Sequence, residues 1–395
     1  MTRPPPRGQL SRTRRAVAAG FFLQGLVFAA ILTQIPGIQD KIGLGDGGVT
    51  VVSLIVAVLA GFGSLIAGII AERRSSATAL GLALLTITLG ALLIGLAPNP
   101  ATIYLAFALY GVGVGGVDAG MNMQGVRVQA AYGRSIMANF HGVWSVAGIV
   151  GALYAAAVAQ LDIPLTWSLG AVAVIALIVT LAARPHFVDA REVAVDLSGG
   201  DRVVPWRPIL VIGLAVLVFY AADTGILAWS SKYLHDALDA SKSIAPLAFA
   251  AYQAGALISR FGGDFLVRRH GAVPVVRMGT IIGIAGLIGV VAAPVPGLAI
   301  LGFFFAGLGL AILAPLAFAA IGGAVGPDGA DVAIARLNIA NYLGAILGSG
   351  LIGAAATGGR LRWAFVVPLA LIPLVLVVAR SFRPADSTTE RAAQG

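Results

Sequence analysis

The chain contains no cysteine, only four histidines and little charge: 11% of its 395 residues are Asp, Glu, Lys or Arg. An average soluble domain carries about 25%. Without cysteine there is no disulfide, no thiol catalysis and no cysteine metal site. No two histidines stand at metal-ligand spacing, which leaves no metal motif. Apolar residues take the place of charge: 58% of the chain is hydrophobic and the mean hydropathy is +0.94. A soluble fold of this length needs a polar surface, and too few polar residues are present to build one. Apolar stretches of membrane-spanning length recur along the whole chain instead.

Twelve such stretches fall near 16–38, 49–71, 77–97, 101–125, 137–160, 164–183, 208–231, 244–266, 274–294, 297–323, 333–357 and 361–380. Each is long enough to cross ~30 Å of hydrocarbon as a helix. A transmembrane barrel would show short alternating segments. The start, MTRPPPRGQLSRTRR, resembles the basic part of a signal peptide. The apolar run after it is too long and has no small-residue cleavage site, so it reads as a retained first helix with a cytoplasmic N-terminus.

Charge orients the segments. Of the 26 Lys and Arg residues, five (Lys41, Lys232, Lys242, Arg360 and Arg362) fall on the external side and 21 on the cytoplasmic side. That is the positive-inside bias, and it puts both termini in the cytoplasm. The net charge of +9 therefore reports membrane orientation and contact with the inner leaflet, not nucleic acid. The longest polar interval divides the chain into a six-helix half over 1–183, a cytoplasmic linker over 184–207 and a second six-helix half over 208–380. The polar tail 381–395 reads as disordered.

The halves echo each other. Segment four contains LYGVGVG and segment ten FAGLGLA, so Gly111 and Gly113 match Gly307 and Gly309. Segment two ends GIIAERR and segment eight RFGGDFLVRRHG, with acid and base in the same place. Parallel repeats of six helices are a carrier architecture.

The intramembrane polar residues are few. On a helix, Gly111, Gly115, Asp118, Asn122, Gly125 and Gln129 fall within an arc of about 80°. An ionised carboxylate facing lipid is unfavourable, so this face looks inward, to protein or water. A buried acid has its charged form disfavoured, which suits Asp118 to loading and releasing a proton. The alternative is a structural, hydrogen-bonded acid. His141 lies at a similar depth on the next helix and shares a face with Ser145. It reads either as a neighbour of Asp118 in proton coupling or as an interfacial group. Asp223 shares a face with Tyr220 and is a second candidate for coupling. Gln24, Gln34, Asn122, Ser145, Tyr252, Gln253, Asn338 and Asn341 are candidate substrate contacts. Trp144, Trp229 and Tyr220 can stack on a sugar-like face.

The twelve segments, the six-plus-six division and the acid–base loops after segments two and eight resemble the major facilitator superfamily over nearly the whole chain. That resemblance implies an all-α membrane fold of two pseudo-symmetric six-helix bundles, with segments one, four, seven and ten lining a cavity. The loop signature of the superfamily is roughly Gly-x-x-x-Asp-Arg-x-Gly-Arg. The second copy is recognisable in Arg260, Asp264 and Arg268, which the resemblance makes gating residues. The first copy, around Glu72 and Arg73, has Glu for Asp and lacks the following Gly. More narrowly, GGVDAGMNMQG followed by NFHGVWSVAGIVGAL is similar to a bacterial branch related to fucose–proton symporters. Such carriers tend to have an acid shortly before a Trp in the seventh segment, matched here by Asp223 and Trp229. The Gly-Pro of drug antiporters is absent from GIVGALYAA.

The expected function is secondary active transport of a small polar organic solute, coupled to protons, across a bacterial-type plasma (inner) membrane. The expected partners are that solute, protons and the lipid bilayer, with no nucleic acid and no cofactor, and the chain is expected to be a monomer. A proton-driven efflux antiporter of the same fold stays open. A polytopic membrane enzyme is disfavoured, because no clustered acids, no His-Asp nucleophile pair and no sizeable extramembrane loop are present.

Overall fold

The computed structural model describes residues 7–132, 136–189, 206–325, 330–356 and 360–383, and no strand occurs among them. The predicted linker lies mostly outside these residues, as does the predicted tail beyond Arg383. In the first half the helices are α1 (Arg7–Leu32), α2 (Ile35–Ile42), α3 (Asp46–Arg73), α4 (Ser76–Leu96), α5 (Pro100–Tyr132), α6 (Met137–Gln160) and α7 (Leu165–Ala183). In the second half they are α8 (Trp206–Leu238), α9 (Leu247–His270), α10 (Ala272–Ala292), α11 (Pro296–Leu310), α12 (Leu313–Val325), α13 (Ala330–Ala356), α14 (Leu361–Ala364), α15 (Val366–Leu371) and α16 (Leu374–Val378).

Local chemistry sets the breaks. Ser75 caps α4 by accepting from the Thr78 amide at 3.2 Å. Gly43, at φ 68°, ends α2 in the left-handed region that favours glycine. Pro315 cannot donate to Ala311, and the tenth crossing is broken there into α11 and α12. Pro368 and Pro373 break the twelfth in the same way into α14, α15 and α16.

Eleven helical stretches among the described residues are long and apolar enough to cross a membrane. The remaining predicted segment forms α9, which has 24 residues. At 1.5 Å per residue that is about 36 Å, long enough to span. Tyr252, Gln253 and Arg260 make it less apolar than the others. The seventh segment also differs from expectation. The helix continues to Leu238, because Leu234 and Leu238 extend its buried face. Lys232, expected in an external loop, is therefore inside α8 and only 2% exposed.

Packing repeats between the halves. In the first half α3 and α4 pack on α5, and α1 packs on α6. In the second half α9 and α10 pack on α11, and α8 packs on α13. The paired glycines sit at equivalent contacts. A Cβ at Gly111 would lie 2.9 Å from Val56 Cα of α3, and one at Gly113 2.7 Å from Ile87 N of α4. Gly307 abuts Tyr252 of α9, and Gly309 abuts Gly283 of α10. The glycine-lined strip of α5 thus serves close helix packing, not an open wall. Two helix pairs join the halves along their length, α6 with α9 and α3 with α13. At the end where α2 lies, α1 and α2 also meet α8. Among the described residues, no helix of the second half packs along α5.

Candidate functional site

The polar residues of α5 face that gap. Asp118 and Asn122 are half-buried, while the helix sides that carry Gly113, Gly116 and Gly120 are taken up by α4. Asn122 Nδ2 donates to the Asp118 carbonyl at 2.8 Å and to its carboxylate at 3.4 Å. Asp118 is within Coulombic reach of Tyr220 and Tyr342, both on the second half. Tyr342 meets Ser64 of α3 at 3.0 Å, a hydroxyl pair that crosses between the halves.

The opposite wall is built from α8 and α9. Tyr252 donates to the Asp223 carboxylate at 2.5 Å. A bond of this kind to a charged acceptor contributes roughly 1.5–3 kcal/mol. Arg260 Nη1 donates to Ser145 Oγ of α6 at 2.5 Å, again between the halves. The Arg260 charge is in turn within Coulombic reach of Asp223, Tyr220, Tyr252 and His141. Two acids, one guanidinium, an amide and several phenols therefore converge from both halves on one region.

Other predicted residues are placed elsewhere. His141 packs edge-on against Phe21 at 5.2 Å, and no hydrogen bond joins it to Asp118. Gln24 donates to the Val114 carbonyl, tying α1 to α5. Gln34 accepts from Ser168 and lines a cavity of about 460 Å³ with Lys41 and Lys242 at the α2 end, away from Asp118. Gln129 caps α6 by accepting from the amides of Ile136 and Met137. Trp229 is fully buried in this conformation, against Gly353. Trp144 packs on Phe28 at 5.9 Å, and Gln253 is buried against Gly148. Asn341 is half-buried on α13. Glu72 and Arg73 are exposed at the end of α3, and Arg268 is exposed near the end of α9. Arg260 is thus set apart from Arg268, deeper in the helix and against α6. The side chains of Asp264 and Asn338 lie outside the described residues.

At the α2 end a set of ion pairs around the buried Lys232 joins the halves. Lys232 Nζ lies 2.8 Å from Asp46 of α3 and donates to Gln39 of α2 at 2.8 Å. It also pairs with Asp236 one turn along α8, and Lys242 pairs with Asp40.

The major facilitator superfamily family model matches residues 2–152 and 212–395. The chain belongs to the Major Facilitator Superfamily. An uncharacterised MFS-type transporter of Yersinia pestis is 30% identical to this major facilitator over 367 residues, covering 91% of this chain and 93% of that protein. Among solved structures, the nucleoside transporter NupG superposes with a TM-score of 0.69 at 14% identity, covering 94% of this chain and 98% of that one. The transporter FucP, solved in the outward conformation, gives 0.65 at 16% identity over 94% and 98%. At these identities the structural likeness is one of fold. The family is one of multi-pass membrane transporters, not enzymes.

Sequence reasoning missed three members of this major facilitator's polar network. Tyr342 was legible, since it follows Asn341 on a segment already marked as polar. Lys232 stands four residues before Asp236, a helical pairing that shows the helix running on. Ser64 gave no signal, because a lone serine in an apolar helix more often bonds its own backbone.

Proposed function

We propose that this major facilitator is a proton-coupled carrier of a small polar organic solute across the inner membrane. It works by alternating access of the halves 1–183 and 208–380, joined by the linker 184–207, as a monomer with both termini in the cytoplasm. The observation that carries this reading is one carboxylic acid on each half, Asp118 and Asp223, directed at the region between them. Closing that region around an ionised acid costs several kcal/mol after relaxation. Protonation removes the charge and with it the penalty, so the proton biases the equilibrium between open and closed states. Asn122 can hydrogen-bond Asp118 in either protonation state, and Tyr252 steadies Asp223.

In this conformer the halves meet through Lys232, Asp46 and Gln39 at the α2 end, and elsewhere through Arg260 with Ser145 and Tyr342 with Ser64. Uptake assays in proteoliposomes, with and without a pH gradient, test the reading. Accumulation of a solute only under the gradient is expected. Equilibration to equal concentrations regardless of the gradient would make the protein a uniporter.

A further inference from the structure

Arg260 lies within a membrane-crossing helix and faces the other half of the molecule. A charged side chain at such a depth is costly and is normally paired. Among the described residues no carboxylate stands within ion-pair distance of this guanidinium. The described ion pairs all gather at the α2 end, around Lys232 and Lys242. The nearby acid on the same wall, Asp223, is engaged by Tyr252. A guanidinium has five N–H donors in a planar fork, and among the described residues this one donates to the neutral Ser145. Ser145 fixes the side chain without neutralising it. The remaining donors are oriented by a hydroxyl of one half and carried by a helix of the other, at a half-buried position.

We infer that Arg260 is the ligand-binding cation of the carrier, and that the transported solute is a small organic acid presenting one carboxylate to it. The inference rests on the carrier reading above and names its substrate class. A carboxylate matches the guanidinium fork with two parallel hydrogen bonds. A dianion such as a phosphate ester suits the region less well, because Arg260 supplies one positive charge and the second negative charge would be left uncompensated away from water. Tyr220 and Asn122 offer a hydroxyl and an amide to the uncharged part of the solute. When Asp118 and Asp223 hold protons, the positive charge of Arg260 is left for the solute. When they ionise, they compete with it. Proton and anion are thereby bound together and released together.

A latch reading of Arg260 predicts no preference among ligands, so selectivity decides. Unfolding of the purified full chain in detergent can be followed with matched probes at equal ionic strength. The probes are lactate against 1,2-propanediol, gluconate against sorbitol, and benzoate against benzyl alcohol. At least one acid is expected to raise the unfolding temperature above both its neutral partner and chloride. Arg260→Gln is expected to weaken that acid about tenfold or more, equivalent to ~1.4 kcal/mol. If Arg260→Gln does not fold, Arg260→Lys keeps the charge but loses the fork, and is expected to bind the acid several-fold more weakly. Stabilisation by neutral partners alone, by no probe at all, or acid binding unchanged in both variants overturns the inference. The readout uses no gradient. Acid binding without gradient-driven accumulation would overturn proton coupling and leave Arg260 in place. Accumulation of neutral solutes without acid binding would do the reverse.

Discussion

Lys232 of α8 and Asp46 at the start of α3 meet at 2.8 Å and tie the two halves of the molecule together. The lysine is 2% exposed and the aspartate 40%, so a buried cation meets a partly exposed acid. Lys232 keeps a carboxylate in its own half through Asp236, while its amide partner Gln39 belongs to the other half. The cation is therefore compensated even when the halves part. At this end the bonds of Lys232 to Asp46 and Gln39, and the pair of Lys242 with Asp40, are the ones that parting would break.

Asp46→Asn should weaken this closure without unfolding the protein. The cross-half pair is partly exposed, so its loss is expected to cost about 1 kcal/mol, or roughly fivefold in the open-to-closed ratio. The chain has no native cysteine. Spin labels on cysteines at Asp162 and Ser241 would report the separation at this end. A longer, broader distance distribution is expected in the variant, and an unchanged one would deny Lys232–Asp46 any role in gating.

Asp118→Asn imitates the protonated acid in size and neutrality. Accumulation driven by a pH gradient should be abolished, while exchange at equal solute concentrations survives. Proteoliposomes loaded with and without solute separate the two. A variant that still concentrates its solute at the normal rate would pass the coupling role to Asp223.

Asp223→Asn can still accept from the Tyr252 hydroxyl, so the helix pair α8–α9 should fold normally. Transport is expected to fall by an order of magnitude or more. Tyr252→Phe removes the 2.5 Å donor while leaving the acid. Its loss should cost about 1–3 kcal/mol in stability or in coupling. Wild-type binding and transport in Asp223→Asn would take this acid out of the site.

Topology is open to the same cysteine-free background. A thiol introduced at Ser198 should stay unreactive toward an impermeant reagent added to intact cells, and should react once the cells are opened. Ready labelling from outside would reverse the orientation read from the distribution of Lys and Arg.

Sequence alone determined the helical class and where the long apolar helices lie. These follow from local rules: apolar length, proline and glycine breaks, and 1.5 Å of rise per residue. It also matched Gly111 and Gly113 to Gly307 and Gly309, which make equivalent contacts in the two halves. Spacing along one chain cannot say which residues meet across an interface. Gln24, Gln34 and Trp229 looked like neighbours of one solute site, yet Gln24 ties α1 to α5, Gln34 bonds Ser168 beside a cavity at the α2 end, and Trp229 is fully buried. Arg260 looked like part of a loop latch with Arg268, yet it reaches Ser145 on α6, 115 positions away in the chain. Lys232 counted as a loop charge, yet it is buried against Asp46. In lipid a polar side chain must find its partner within the protein. That partner was decided by how the two halves pack, which only the tertiary structure fixes.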